Sequence, residues 1–150
     1  MPSTHADTTI TRITLRCTSC GRWNRIDARR ASAGPKCGVC GVPLDLDHPL
    51  HLDDATFDRV IEGTDLPVLV DFYADWCGPC RMMAPAIDEM ARTSAGRALV
   101  AKLDTDASQR VSARFQIRGI PTVIVFRNGR EMRRESGVMS VAALRGMVGG

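Results

Sequence analysis

The stretch Pro67-Val-Leu-Val-Asp-Phe-Tyr-Ala-Asp-Trp-Cys-Gly-Pro-Cys80 decides the fold of this chain. Its first part, residues 67–74, is a near-continuous apolar run, as expected for a strand that is buried on both faces. A helix is predicted to follow, because apolar residues between 83 and 90 recur at helical spacing. The pair Cys77 and Cys80 therefore stands where a buried strand becomes a helix.

This position indicates redox chemistry for the third cysteine pair. Unpaired N–H groups and the positive dipole end of a helix N-terminus favour the thiolate form of Cys77, and the thiolate is the nucleophile. Cys80 lies three residues on, so it shares the helix face and is placed to attack a mixed disulfide formed at Cys77. A second metal site is the alternative, but the nearby candidate ligands are limited to His48 and His51, which we interpret as ordinary surface residues.

Asp71 is the other informative residue of this stretch. Its apolar neighbours require burial, and a buried lone carboxylate is costly and holds its proton to a higher pH than usual. Beside a thiol pair, such a group is a candidate general base that activates Cys80. The alternative is a carboxylate that points into solvent at a strand end.

Strand and helix patterns alternate through the second part of the chain. The predicted order is β-α-β-α-β-α-β-β-α, starting with a weak strand near residues 48–52. Asn128-Gly129 predicts a tight hairpin into the polar strand 131–136, and the polarity of that strand is typical of a sheet edge. Ser140 is predicted to cap a final helix. The pattern predicts an α/β fold, with a mixed sheet and helices on both faces.

The remaining cysteines predict a metal site in the first part of the chain. Their spacing, C-x2-C-x16-C-x2-C, is typical of a zinc ribbon, in which two tight turns supply four thiolates for one structural Zn2+. Gly21 and Gly41 follow the two pairs and can adopt the positive φ that such turns need. Iron in the same cage, unligated thiols and two disulfides are the alternatives. The predicted ligands are Cys17, Cys20, Cys37 and Cys40.

The length of the first part explains why it would need a metal. About 45 residues cannot build a large core, so metal binding is expected to contribute folding energy. Trp23 and Ile26 are its expected apolar residues. A change in composition between Pro43 and Pro49 predicts two units: an N-terminal metal-binding domain over 1–46 and a catalytic domain over 47–150.

Composition and charge exclude several classes of protein. The 150 residues are 44% apolar and 25% charged, which excludes bulk disorder. No apolar run reaches the ~18 residues of a membrane helix, and residues 1–16 lack the apolar centre of a secretory signal. We therefore expect a cytoplasmic protein, no membrane partner and reduced thiols.

The basic charge is concentrated at the N-terminal end. Residues 1–44 carry seven basic and two acidic side chains, while the rest of the chain carries 13 basic and 15 acidic ones. Zinc ribbons with such charge can bind nucleic acid, but a single aromatic side chain accompanies the arginines. We interpret the charge as a solvated face and do not expect a nucleic-acid partner.

Taken together, three motifs resemble the thioredoxin family from about residue 48 to the C-terminus. They are V-D-F-Y-A-D-W-C-G-P-C at 70–80, A-K-L-D-T-D at 101–106 and F-Q-I-R-G-I-P-T at 115–122. The resemblance implies the thioredoxin fold, a central mixed sheet flanked by four helices. With the N-terminal cysteines added, the whole chain is similar to the zinc-containing bacterial thioredoxins of the thioredoxin-2 or C type.

The resemblance also implies the site residues. Cys77 matches the attacking cysteine, Cys80 the resolving cysteine, Asp71 the buried proton acceptor, Lys102 the lysine beside it, and Pro121 the cis-proline of the active site. The substrate groove is matched by Trp76, Gly119, Ile120, Gly137 and Val138.

Two positions depart from the family pattern at or near this site. Tyr73 stands where many thioredoxins have tryptophan, and we expect it to tune the packing beneath the site. Val138 is bulkier than the usual alanine and is expected to narrow the groove.

The activity implied by the resemblance is protein disulfide reduction by dithiol–disulfide exchange. Thioredoxin reductase with NADPH would recharge the protein, its substrates would be disulfide-containing proteins, and no tightly bound organic cofactor is implied. A disulfide oxidase or isomerase on the same fold is one alternative. A zinc-centred, redox-switched binding or holdase module is another.

Overall fold

Within residues 11–149, which the computed structural model describes, the chain forms seven strands, four α-helices and one short 3-10 helix at Ala28–Arg30. The strands are β1 (Arg12–Arg16), β2 (Trp23–Asp27), β3 (Leu50–Leu52), β4 (Val68–Tyr73), β5 (Leu99–Asp104), β6 (Thr122–Arg127) and β7 (Arg130–Ser136). The α-helices are α1 (Phe57–Glu62), α2 (Gly78–Thr93), α3 (Gln109–Arg114) and α4 (Val141–Gly149). From β3 onward this is the order that the sequence predicts.

Strands β3 to β7 form one mixed sheet in the order β3-β5-β4-β6-β7. β3, β5 and β4 are parallel, whereas β6 runs antiparallel to β4 and β7 antiparallel to β6. The buried side chains of α1 and α3 pack on one face of the sheet, and those of α2 and α4 on the other. The predicted α/β fold with helices on both faces is confirmed.

Strand β4 lies in the middle of this sheet, as its apolar run predicts. Five of its six residues are buried, because α-helices cover both faces and β5 and β6 flank both edges. Helix α2 starts only a few residues after the strand ends, so the connection between them stands at one edge of the sheet. That edge carries the cysteine pair.

The hairpin and the charged edge strand also follow the sequence pattern. Asn128 and Gly129 adopt φ values of 54° and 80°, the left-handed conformations that a tight β-hairpin turn requires. All seven residues of β7 are exposed, and the strand lies at the edge of the sheet. At the start of α4, the Ser140 hydroxyl oxygen accepts a hydrogen bond from the N–H of Ala143 at 3.2 Å.

The two-stranded ribbon of β1 and β2 packs against α1, and this corrects one expectation. The N-terminal unit contributes more than Trp23 and Ile26 to the core, since Ile13 and Leu15 are buried in the same apolar cluster as α1 and the sheet. Trp23 itself is only half-buried. The sequence pattern missed these residues because a shared core is visible only once the ribbon and helix meet.

The contact between ribbon and helix is close. The Thr14 hydroxyl donates to the carbonyl oxygen of Gly63 at 2.9 Å, directly after α1. A Cβ atom at Gly63 would lie 2.6 Å from the Cβ of Thr14 and 2.5 Å from the carbonyl oxygen of Arg59. Only glycine therefore fits this position without displacing backbone.

Among the described residues, no helix combines the length and apolar character needed to cross a membrane.

Candidate active site and metal centre

The cysteine pair lies at the junction of β4 and α2. Cys77 is the N-cap residue of α2, and its Sγ accepts a hydrogen bond from the backbone N–H of Cys80 at 3.2 Å. The two cysteines form a disulfide, with their Cα atoms 5.2 Å apart. Both are 4% exposed and pack against Ala74, Tyr73 and Ile120.

Pro121 lies beside this disulfide at the start of β6. The Ile120–Pro121 peptide bond is cis, as the resemblance implies. The carbonyl oxygen of Ile120 lies 3.8 Å from the Sγ of Cys77. The N–H of Gly137 donates to the carbonyl oxygen of Pro121 at 2.9 Å, which ties the loop after β7 to the proline.

Asp71 is fully buried in the middle of β4 and does not point into solvent at a strand end. Its side chain shares a face of the strand with Leu69, which packs against α2, because residues two apart point the same way. Neither carboxylate oxygen has a hydrogen-bond partner. Burial raises the pKa of Asp71 to about 6, and the charge of Lys102 opposes the rise.

Lys102 is the cross-strand neighbour of Asp71 on β5. Its ammonium nitrogen lies over the ring of Tyr73, 4.4 Å from the centroid, and no ion pair joins it to Asp71. Sequence reasoning named Lys102 and Tyr73 separately, but their contact depends on the register of two strands. The arrangement leaves a buried carboxyl group with a pKa of about 6 on the strand that leads into the cysteine pair.

The residues expected to form the substrate groove are all exposed or half-buried, and Ile120 packs against the cysteine pair. Trp76 is 68% exposed and Val138 50% exposed, which is unusual for apolar side chains of this size. Gly137 adopts a φ of 98°, a conformation that favours glycine. Gly119 is exposed and Ile120 is half-buried.

Two further residues near the expected substrate groove were not predicted from the sequence. Met82, on the first turns of α2, is 72% exposed and extends the apolar surface. Asp106 accepts a hydrogen bond from the indole N–H of Trp76 at 2.8 Å, which orients the ring. The motif at 101–106 contained Asp106, but only the fold brings it to Trp76. His48 and His51 are exposed, and neither lies in a cluster of candidate metal ligands.

The four N-terminal cysteines come together in a single cluster. Their sulfur atoms all lie within 4.8 Å of one another, and no disulfide joins them. The sulfurs of Cys17 and Cys40 are 3.6 Å apart, as are those of Cys20 and Cys37. A tetrahedral zinc with Zn–S bonds of about 2.3 Å requires sulfur–sulfur distances of about 3.8 Å, so the donor set fits a metal of this kind.

Backbone groups around the cluster favour thiolates. Gly21 and Gly41 adopt φ values of 79° and 78°, as predicted for the turns that follow the two pairs. Backbone N–H groups of Cys40 and Val39 lower the pKa of the Cys37 thiol to about 6, whereas the pKa of Cys20 is raised to about 11, because the lowering effect of the Arg22 N–H is outweighed by burial and the neighbouring thiols. Sequence reasoning missed Asn24, whose amide nitrogen lies 3.5 Å from the Cys37 sulfur, because nothing in the cysteine spacing points to β2.

Comparisons with known proteins match both parts of the chain. One family model, described as Thioredoxin, matches residues 48–149, and a second, described as Thioredoxin 2, N-terminal, matches residues 16–42. Thioredoxin C-3 of Corynebacterium nephridii is 39% identical over 128 residues, which cover 85% of this chain and 88% of that protein. A thioredoxin of Alicyclobacillus acidocaldarius is 49% identical over 85 residues, covering 57% of this chain and 80% of that one.

A solved structure of a mutant thioredoxin from Halobacterium salinarum aligns with a TM-score of 0.64 and 35% identity, covering 70% of this chain and 91% of that one. The match of fold, of motif and of the N-terminal cysteine unit gives one conclusion. The chain belongs to the thioredoxin family of thiol–disulfide oxidoreductases, in the branch that carries an N-terminal four-cysteine zinc ribbon.

Proposed function

We propose that this protein is a protein disulfide reductase that works through Cys77 and Cys80. The observation that carries the proposal is the cysteine pair at the N-terminus of α2, which lies against the Ile120 carbonyl before the cis Pro121 and follows the strand that holds the buried Asp71. Proteins of this family exchange disulfides, and the exposed apolar rim around Cys77 suits an extended polypeptide that carries one.

The exchange reaction uses two thiols and leaves a disulfide behind. The Cys77 thiolate attacks one sulfur of a substrate disulfide, forms a mixed disulfide and releases the other sulfur as a thiolate. Cys80 loses its proton to Asp71 and attacks the Cys77 sulfur, which frees the second substrate sulfur. The substrate gains two electrons, and the protein ends with the Cys77–Cys80 disulfide, the state seen in this structure.

The surrounding residues position the substrate and the proton. Trp76, held by Asp106, and Val138 would supply exposed apolar surface for contact with the substrate. The backbone of Gly119, Ile120 and Gly137, apart from the Gly137 N–H that is bonded to Pro121, would pair with an extended substrate chain. Lys102 supplies positive charge beside the carboxyl group that takes the proton.

For the return of the oxidised form to the dithiol, we propose thioredoxin reductase with NADPH as the electron donor. The test is NADPH oxidation with thioredoxin reductase and insulin, using the full chain and its Cys77→Ser variant. Turnover that is lost in the variant supports the proposal. No turnover by protein whose thiols are reduced at the start would refute it and favour a disulfide oxidase or the zinc-centred binding role.

A second experiment tests the order of the two cysteines. Cys80→Ser should accumulate a mixed disulfide with insulin through Cys77, because the resolving thiol is missing. Cys77→Ser is the matched control and should accumulate none. Trapping by both variants alike would overturn the assignment of attacking and resolving roles.

For the four-cysteine cluster we propose one structural Zn2+ per chain. Cys17, Cys20, Cys37 and Cys40 would hold it, and the bound ion would supply cross-linking energy to the ribbon. We propose that this unit, residues 1–46, precedes a catalytic unit over 47–150, and that the protein works in the cytoplasm, where the thiolates stay reduced. Metal analysis of freshly reduced protein tests the ion: zinc near one equivalent supports it, and its absence refutes it.

A further inference from the structure

Tyr73 and Lys102 form a contact that the exchange mechanism above does not use. The Lys102 ammonium lies 4.4 Å from the centroid of the Tyr73 ring. Within residues 11–149, no ion pair involves Lys102. The face of the Tyr73 ring is therefore the contact that the structure shows for this ammonium. An aromatic face attracts a cation through its quadrupole.

The strand register places this contact next to Asp71. Lys102 pairs with Asp71 across the parallel strands β5 and β4, and Tyr73 is two residues beyond Asp71 on the same face. The lysine stem therefore starts beside the carboxyl group, and its charged end turns to the ring. The charge of Lys102 therefore lowers the pKa of Asp71, although Lys102 donates no hydrogen bond to the carboxyl group.

Direct pairing of the two charges is disfavoured by burial. Asp71 is 0% exposed, so an ammonium group in contact with it would also have to leave water, which is costly for an ion. Lys102 is only half-buried. Without the ring, the ammonium is expected to move outward into water, away from Asp71.

The neighbouring ionisable groups also favour movement of the Lys102 ammonium outward, away from Asp71. Asp104 is opposite Tyr73 on β5, Asp75 follows Tyr73 in the loop, and His51 is opposite Lys102 on β3. On the other side of Asp71, β6 contributes the uncharged Val123, and the buried α2 side chains that pack on this face of the sheet are apolar. The two aspartates lie further out than Asp71, so a released ammonium has acidic partners as well as water in the outward direction.

We propose that Tyr73 is a positioning residue: its ring holds the Lys102 ammonium beside Asp71 and so sets how readily Asp71 takes up the proton of Cys80. The inference rests on the proposed role of Asp71 in disulfide reduction. It also gives a specific role to the position at which this chain departs from the tryptophan of many thioredoxins.

The test is a titration of the Asp71 carboxyl carbon by 13C NMR in the oxidised full-length protein. Lys102→Met should raise the titration midpoint by about one pH unit, because a nearby opposite charge lowers a carboxyl pKa by roughly that amount or more. Tyr73→Leu should raise it by about half as much. Tyr73→Phe keeps the ring face and should leave the midpoint where it is.

The double variant Tyr73→Leu with Lys102→Met decides whether the effect passes through the lysine. Its midpoint should equal that of Lys102→Met alone. A further rise in the double variant, or a Tyr73→Phe shift as large as that of Tyr73→Leu, would overturn the proposal. If Tyr73→Leu does not fold, Tyr73→Met removes the ring with a more flexible side chain and takes its place.

The titration separates this inference from the proposed function. It is made on the disulfide form and needs no turnover, so an unchanged midpoint in Tyr73→Leu would refute the positioning role alone. Loss of NADPH-dependent insulin reduction would refute the proposed function without changing the titration. The pH profile of insulin reduction should shift with the NMR midpoint in each variant.

Discussion

Relative to the parent protein, oxidised Asp71→Asn should gain stability as the pH rises from 4 to 8, by an amount that follows from the pKa of Asp71. Burial raises the pKa of Asp71 from an ordinary 3.8 to about 6. Each pH unit of such a difference corresponds to about 1.36 kcal/mol, so the ionised carboxylate costs the folded state about 3 kcal/mol above pH 6. Asparagine removes that cost because it cannot ionise.

The sign follows from which state binds the proton more tightly. The folded state holds the Asp71 proton up to about pH 6, whereas the unfolded chain loses it near 3.8. The contribution of protonated Asp71 to stability is complete below pH 3.8, declines as the pH rises from 3.8 to about 6, and is then lost. The difference between variant and parent should therefore grow over this range and be constant above it.

Urea unfolding of the oxidised full chain at pH 4, 5, 6, 7 and 8 measures the difference. The asparagine amide is itself buried without a partner, but that cost does not depend on pH and cancels when the curves are compared between pH 4 and pH 8. The expected gain over this range is about 2–3 kcal/mol. Asp88→Asn, at an exposed position on α2, is the control and should show no such growth. A parallel pair of curves for Asp71→Asn and parent would refute the account of the buried carboxyl group.

Three further predictions concern the metal cluster, the seam between the two units and the start of α3. Cys37→Ser removes one of four thiolates, and we expect metal analysis to show loss of bound zinc and thermal unfolding to occur at lower temperature. Gly63→Ala should destabilise the protein by about 1–3 kcal/mol in urea unfolding, because the new Cβ would clash with Thr14. Gly146→Ala in α4 is the control: its new Cβ would meet no other atom, and alanine should stabilise the helix by about 0.5–1 kcal/mol. Equal effects of the two substitutions would contradict the close packing between Thr14 and Gly63. Asp54→Ala should cost about 1 kcal/mol, since its carboxylate accepts two backbone N–H groups in the first turn of α3; a neutral result in urea unfolding would mean that water replaces this cap.

The C-terminal sheet could be predicted from the sequence because its signals are local. The apolar run of β4, the Asn128-Gly129 turn and the polar strand after it each constrain their own backbone, whatever surrounds them. The cysteine spacing likewise predicts its cluster, because ligand geometry depends on two short turns. Because these local patterns all indicate the same α/β arrangement, the fold class could be predicted from the sequence.

The contacts that were missed join residues far apart in the chain. Trp76 and Asp106 are 30 positions apart, and Thr14 and Gly63 are 49 apart. Hydrophobic periodicity does not specify which surfaces meet, so the shared core of the ribbon and α1 could not be derived from the sequence. The Lys102–Tyr73 contact was missed for the same reason, because its geometry depends on the register of β4 and β5.

The exposed edge strand β7 affects where a protein with the proposed function can contact extended polypeptide chains. An unpaired strand edge is a template onto which other polypeptides can add as a further strand. Five of the seven residues in R-E-M-R-R-E-S at 130–136 are charged, and such side chains discourage that addition. Strand addition by extended polypeptides is therefore expected to be disfavoured at this edge, whereas exposed apolar side chains such as Trp76 remain available for contact near the cysteine pair.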